Sequence, residues 1–260
     1  VRELDVEARL TLCNLSIELG SKIGMIGPDD KVFEFIAGRA YAPRAELLDR
    51  AIRYWRTLSS DADAAFEREL HVDAAGVSPQ ITWGTSPQDV MGIDGTIPDP
   101  EAESDPERRR SMRAALEYMG LRPGQGLQGI PVDWVFIGSC TNGRLSDLRC
   151  AASLVKGRRV NPRVNAWVVP GSEAVRRAAH AEGLDRIFLE AGFQWREPGC
   201  SLCLAANGEV IAPGQRSVST TNRNFVGRQG PGARTHIASP TMAAAAALTG
   251  TIADARRLEH

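Results

Sequence analysis

The sequence predicts an α/β protein built mainly on a parallel sheet. Three observations predict it. From residue 132 onward, short apolar runs alternate with segments of helical period, the rhythm of strands joined by helical crossovers. The run Val132–Ile137 is almost wholly apolar and stops at Gly138, as a buried strand followed by a tight turn does. Ser239-Pro240 sets a capping hydroxyl before a residue suited to the first helical position.

The elements follow in order. Leu10, Cys13, Ile17 and Gly20 carry a helical spacing that Gly20 ends. Lys22–Ile26 reads as a short strand. Gly27-Pro28-Asp29-Asp30 reads as a turn whose acidic residues cap a helix from Lys31 to Gly38. Pro43–Leu70 reads as helix with a break near Ser59-Ser60, and His71–Val77 and Gln80–Trp83 as extended chain. Asp94–Pro106 is rich in Pro, Asp and Glu without apolar period, which predicts a linker between two lobes, 1–100 and 107–257. Glu107–Met119 reads as a helix. After the strand Val132–Ile137 comes a Gly-Ser-Cys turn and a helix with Leu145, Leu148, Ala152 and Val155 on one face. Ala166–Val169, Arg186–Glu190 and Val218–Thr220 read as further strands, and Gly171–Glu182 as a helix. In such sheets sites form at the carboxyl ends of the strands.

At 260 residues the chain has room for one large domain or two smaller ones. Lys+Arg is 31 against Asp+Glu 32, a net charge of −1. This balance excludes a broad electrostatic case for nucleic acid or an acidic membrane surface. All but Lys22, Lys31 and Lys156 of the basic residues are arginines. The longest purely apolar run, Met242–Leu248, is too short to span a bilayer. Five cysteines, an odd number, make no disulfide framework. A cytoplasmic protein with reduced thiols is the expectation. Leu258-Glu259-His260 resembles the stub of an affinity tag, and the helical pattern already under way at Leu10 suggests a cut from a longer chain.

Cys140 stands in Gly138-Ser139-Cys140-Thr141-Asn142-Gly143-Arg144, directly after a strand and before a helix. Backbone N–H groups at a helix start favour a thiolate. Sixty residues on, Pro198-Gly199-Cys200-Ser201-Leu202-Cys203 holds two cysteines spaced to present both sulfurs to one metal centre. Four readings compete: a [4Fe–4S] cluster on three thiolates with one open iron, a zinc site, a redox pair, and structural cysteines. Cys13 and Cys150 read as small buried residues on amphipathic helices. Thr221-Asn222-Arg223-Asn224-Phe225-Val226-Gly227-Arg228 places two arginines and two asparagines in one segment. Arg223 and Arg228 could each clamp a carboxylate with paired hydrogen bonds, or be ordinary solvated charge. His236 reads as structural. Asn14 and Glu18, four apart, share a face of the first helix.

These motifs resemble the aconitase superfamily. The set 138–144, 198–203 and 222–228 carries the resemblance, in the order the superfamily has it. Val77–Pro87, Glu190–Pro198, Gly227–His236 and Ser239–Ala247 make it most similar to the large-subunit family of 3-isopropylmalate dehydratase. The resemblance covers nearly all of residues 3–257. It implies aconitase-like three-layer α/β/α lobes, with the Asn14/Glu18 helix on the first and the cluster cysteines on the second. It also implies Cys140, Cys200 and Cys203 as ligands of a [4Fe–4S] cluster, Asn14 and Glu18 as catalytic residues, and Asn222, Arg223 and Arg228 as substrate-binding residues. The implied reaction interconverts 2-isopropylmalate and 3-isopropylmalate by dehydration and hydration in leucine biosynthesis, with no nucleic acid or membrane partner.

The sequence departs from the family's large subunit at one end. The family's further N-terminal domain, with its Cys-Gly-Asp-Ser-His-Thr stretch, has no counterpart here. The serine base comes from a swivelling domain, the small subunit, which would be a partner. The reading is therefore a C-terminal part of a large subunit, inactive alone. Alternatives are another hydro-lyase of the superfamily, acting on homoaconitate or on methylmalate and citraconate, and a non-enzymatic regulator or scaffold.

Overall fold

A computed structural model describes residues 1–205 and 208–258. The chain divides into two compact units, Val1–Ala74 and Ala75–His260.

The first unit is helical. Helix α1 (Val6–Leu15) starts at Asp5, whose carboxylate accepts from the Ala8 N–H at 2.7 Å. A 3₁₀ turn, Ser16–Leu19, continues it and stops at Gly20, which is left-handed at φ 86°. Helix α2 (Asp30–Ile36) is capped by Asp29, as the sequence predicts. The Arg9 guanidinium donates to Asp29 at 2.8 Å and ties α1 to that cap. Helix α3 (Glu46–Trp55) stacks Trp55 on Phe33 with ring centroids 5.9 Å apart. Phe33 is the one buried apolar side chain among the described residues of this unit.

Three expectations change here. The described residues 1–74 contain no strand, so Lys22–Ile26 is irregular; a lone strand has no ladder to satisfy its backbone groups. Helix after Pro43 covers Glu46–Trp55 and a 3₁₀ turn at Arg56–Leu58, and residues 61–70 are not helical. Ala74–Gly76 forms a 3₁₀ turn rather than extended chain.

The second unit opens with an antiparallel pair, β1 (Gln80–Thr82) and β2 (Val90–Gly92). The Pro/Asp/Glu-rich stretch 94–106 lies inside this unit. Its Ile97 is 1% exposed and exchanges backbone hydrogen bonds with Gln125 and Gly124 at 2.9 and 2.8 Å. One buried isoleucine anchors a segment whose composition alone reads as linker. Helix α4 (Pro106–Met119) has Asp105 as cap, Pro106 at its first position and left-handed Gly120 at its end.

Then come β3 (Trp134–Gly138), the single-turn α5 (Ser139–Asn142), α6 (Leu145–Val155), β4 (Asn165–Val169), α7 (Glu173–Ala181), α8 (Leu184–Ala191), β5 (Gln194–Trp195), β6 (Arg216–Ser219), β7 (Arg234–Ile237) and α9 (Pro240–Thr249). The five strands form one sheet in the order β5-β4-β3-β6-β7, every pair parallel. The fold is thus the expected α/β class, a parallel sheet flanked by helices. Arg186–Glu190, expected as strand, is helix α8. Leu184, Phe188 and Ala191 are buried at i, i+4 and i+7, a helical stripe that a five-residue window does not expose. The true edge strand β5 is two residues long, and β7 escapes notice because it reads Arg-Thr-His-Ile.

Alternation along β3 divides the core. Val135 and Ile137 face the large cluster built with α4, α6, α8 and α9. Phe136 faces the other way, into a small cluster with Val169, Leu202, Cys203, Ile211 and Ala233. Met242–Ala247 of α9 are all buried, and their small side chains let this helix lie on β3, β6 and α6.

Candidate active site at the carboxyl end of the parallel sheet

Because all five strands run the same way, the chain leaves every one of them on the same side of the sheet. The loops after β3, β5 and β6 carry Cys140, then Cys200 and Cys203, then Asn222, Arg223 and Arg228. β3 and β6 are neighbours, with Phe136 opposite Ser219.

The Cys140 loop is stitched to the start of the β6 loop. The Gly138 N–H donates to the Thr220 hydroxyl at 2.9 Å, which donates to the Gly138 carbonyl at 3.0 Å. Asn142 Nδ2 donates to the Thr220 carbonyl at 3.0 Å. A Cβ on Gly143 would lie 2.6 Å from the Ser139 carbonyl oxygen and 2.8 Å from that of Val169, so only glycine lets the loop turn there. Cys140 is exposed at this turn.

The Cys200–Cys203 segment is a 3₁₀ turn that packs against β3. The Cys203 N–H donates to the Cys200 carbonyl at 2.8 Å. Cys203 is buried and Cys200 exposed. Arg228 reaches into the turn: Nε donates to the Cys203 carbonyl at 2.6 Å, and Nη2 to the Cys203 Sγ and to Asn222 Oδ1, each at 3.4 Å. Gln229 holds the same turn from below, Nε2 donating to the Leu202 carbonyl at 2.7 Å.

The β6 loop therefore brings Arg228, Asn222 and Cys203 together. Arg223 is exposed on the same loop and Asn222 is half-buried. Asn224 is buried, and its Nδ2 donates to the Gly84 carbonyl at 2.7 Å. Asn224, Gln229 and Thr220 position the site; the sequence reading counts Asn224 only as one of the segment's two asparagines and gives the other two no role. Their signal is the polar density of the stretch 220–229, in which arginine draws the eye first.

Asn14 and Glu18 belong to the first unit. Asn14 is exposed on α1, and half-buried Glu18 lies in the 3₁₀ turn. The change from 3.6 to 3.0 residues per turn between them rotates Glu18 off the ideal i, i+4 register. Cys13 is half-buried and Cys150 exposed, so neither is the buried small residue expected. Of the proposed tag remnant, Leu258 packs against the main core, and residues 259–260 lie outside the described residues.

His236 is structural, as expected. It is fully buried, with Nδ1 2.6 Å from the Thr82 carbonyl and Nε2 2.6 Å from Arg216 Nη1. The carbonyl requires a proton on Nδ1, and Nε2 then accepts from the arginine. Burial, reinforced by the Arg216 charge, pushes its pKa down to about 3. Burial also lowers Arg216 to about 10, which leaves it cationic at neutral pH.

Three thiols stand on segments that follow strands at one end of the sheet, with Arg228 Nη2 beside one of them. Among the described residues, two of the three non-glycine residues with positive φ stand next to these thiols, Ser139 at 75° and Ser201 at 42°. Strained backbone of this kind collects at functional sites. Among the described residues, no three His, Cys, Asp or Glu side chains lie close enough together to hold a metal ion. Nor is any helix long and apolar enough to cross a membrane.

The family model of the aconitase family (aconitate hydratase) matches residues 1–250. The chain is 62% identical, over all 260 of its residues, to the 3-isopropylmalate dehydratase large subunit 1 of Bradyrhizobium diazoefficiens. It spans 54% of that relative's length. With its three motif loops gathered at one end of a parallel sheet and the family model matching almost end to end, the chain belongs to the aconitase family.

Proposed function

We propose that this protein is a portion of a 3-isopropylmalate dehydratase large subunit. In that role it helps interconvert 2-isopropylmalate and 3-isopropylmalate by dehydration and hydration, a step of leucine biosynthesis. The observation that carries the reading is 62% identity along the whole chain to a large subunit of that name. In it, Cys140, Cys200 and Cys203 would hold a [4Fe–4S] cluster. When bound, a cluster with three protein ligands supplies an iron with an open position, a Lewis acid toward a substrate hydroxyl.

The chain's own residues do the rest. Arg223 and Arg228 bind the two substrate carboxylates through charge-assisted hydrogen bonds. Asn222, hydrogen-bonded to Arg228, orients that arginine and the carboxylate it holds. Glu18 exchanges a proton with the departing or arriving water, and Asn14 hydrogen-bonds the same hydroxyl. The small subunit, the partner implied by the name of the relative, supplies the opposing base. A cytoplasmic setting accords with five free cysteines, since thiolate ligands need a reducing compartment.

The test is turnover in the completed assembly. The protein, the remainder of the large subunit and the small subunit are combined anaerobically, and isopropylmalate isomers are separated by chromatography. Interconversion by the assembly, none by this chain alone, and loss on Glu18→Gln are expected. An assembly without turnover, or with turnover indifferent to Glu18, contradicts the reading.

A further inference from the structure

We propose that Glu209, which the proposed reaction does not use, is a positioning residue that locks the turn presenting Cys200 and Cys203. The inference rests on the reading that these two cysteines are cluster ligands. Ser201 follows Cys200 directly and sits at φ 42°, a left-handed conformation that side chains other than glycine resist. The orientation of the Ser201 backbone sets how the two flanking cysteines are aimed. Something must hold it there, and the Ser201 hydroxyl shows what does. It is 2.7 Å from Glu209 Oε2 and donates to it. Ser201 is 7% exposed, so water competes little for that bond.

Glu209 is itself fixed from the sheet. Its other oxygen, Oε1, is ion-paired with Arg196 Nη2. Arg196 follows β5 directly; its backbone N–H donates to the Val168 carbonyl at 2.9 Å, and its guanidinium lies 4.0 Å over the Trp167 ring. A continuous path thus runs from β4 through Arg196 and Glu209 to Ser201. The carboxylate matters for its two separate oxygens, one for the arginine and one for the serine. Glutamine keeps the shape but loses the charge that strengthens both bonds.

The experiment uses the whole chain and the variants Ser201→Ala, Glu209→Gln and the double variant, with thermal melting to confirm that each folds. Each protein is reconstituted anaerobically with ferrous iron and sulfide, and iron release to a chelator is timed. In parallel, Cys203 alkylation by iodoacetamide is followed by mass spectrometry on the metal-free proteins. Each single variant should release iron about tenfold faster, the effect of losing one hydrogen bond to a charged acceptor. The double variant should be no worse than either single one, because both act through one bond. Cys203 should alkylate faster in all three metal-free variants. Additive effects, or iron release and alkylation at the wild-type rates, would overturn the proposal. If the wild type takes up no iron, the cluster reading fails, and the alkylation rates alone decide whether Glu209 locks the turn.

Discussion

Acid should unlock the core at His236. In the fold this imidazole is neutral, wedged between the Thr82 carbonyl and the Arg216 guanidinium, with its pKa pushed down to about 3 from an ordinary 6.5. The unfolded chain therefore takes up a proton below pH 6.5 that the folded chain refuses until about pH 3. The sign follows: the contribution is fully present above pH 6.5 and is lost as pH falls. Integrating between the two values gives about 2 kcal/mol lost by pH 5. The depressed carboxylates, such as Asp254 held by Arg256 and Glu182 held by Arg149, respond only lower, below their ordinary 3.8 and 4.5. Denaturant unfolding at pH 7 and pH 5, read on the wild type and on His236→Gln, isolates the effect. Glutamine offers an amide N–H donor and a carbonyl acceptor without titrating. The wild type should lose about 2 kcal/mol more than the variant over this interval. Equal losses would refute the buried neutral histidine.

Three further outcomes follow from the same geometry. Phe136→Ala empties the small core behind β3, where the ring is fully buried, and should cost about 3–5 kcal/mol in denaturant unfolding; a loss below about 1 kcal/mol would contradict the packing. Gly143→Ala sets a methyl against two backbone carbonyls. It should cost about 1–3 kcal/mol and change the alkylation rate of Cys140, and an unchanged rate would show that the close approach is not what shapes the loop. Arg228→Lys replaces a fork that reaches a carbonyl, a sulfur and an amide with a single ammonium. In the completed enzyme it should raise KM for isopropylmalate about tenfold or more, whereas an unchanged KM would remove Arg228 from the substrate site.

The parallel sheet was legible in the sequence because its central strands are apolar. Val135, Phe136 and Ile137 pack on both faces, so the run is unbroken. β7 was hidden for the opposite reason: its buried positions are Thr235 and His236, satisfied by Gln229, Arg216 and Thr82, and polar pairing leaves no hydrophobic pattern. The first unit was misread where it has little core. With Phe33 its one buried apolar side chain among the described residues, apolar spacing there carries little information about which segments fold regularly. At the site, the cysteines and arginines were legible because their residue types are chemically rare. Thr220 and Gln229 were not, because what they do depends on which backbone atoms reach them across long stretches of chain, and Ser201 and Glu209 were not, because their side chains meet only once the turn between them is folded.

Under the proposed function, Cys140, Cys200 and Cys203 would together hold a cluster. Anaerobic reconstitution of the whole chain with ferrous iron and sulfide, followed by iron analysis of the wild type, Cys140→Ser and Cys150→Ser, tests it most directly. About four irons per chain are expected in the wild type and in Cys150→Ser, with loss of the visible absorbance in Cys140→Ser. Iron binding that survives Cys140→Ser, or a wild type that binds none, would contradict it.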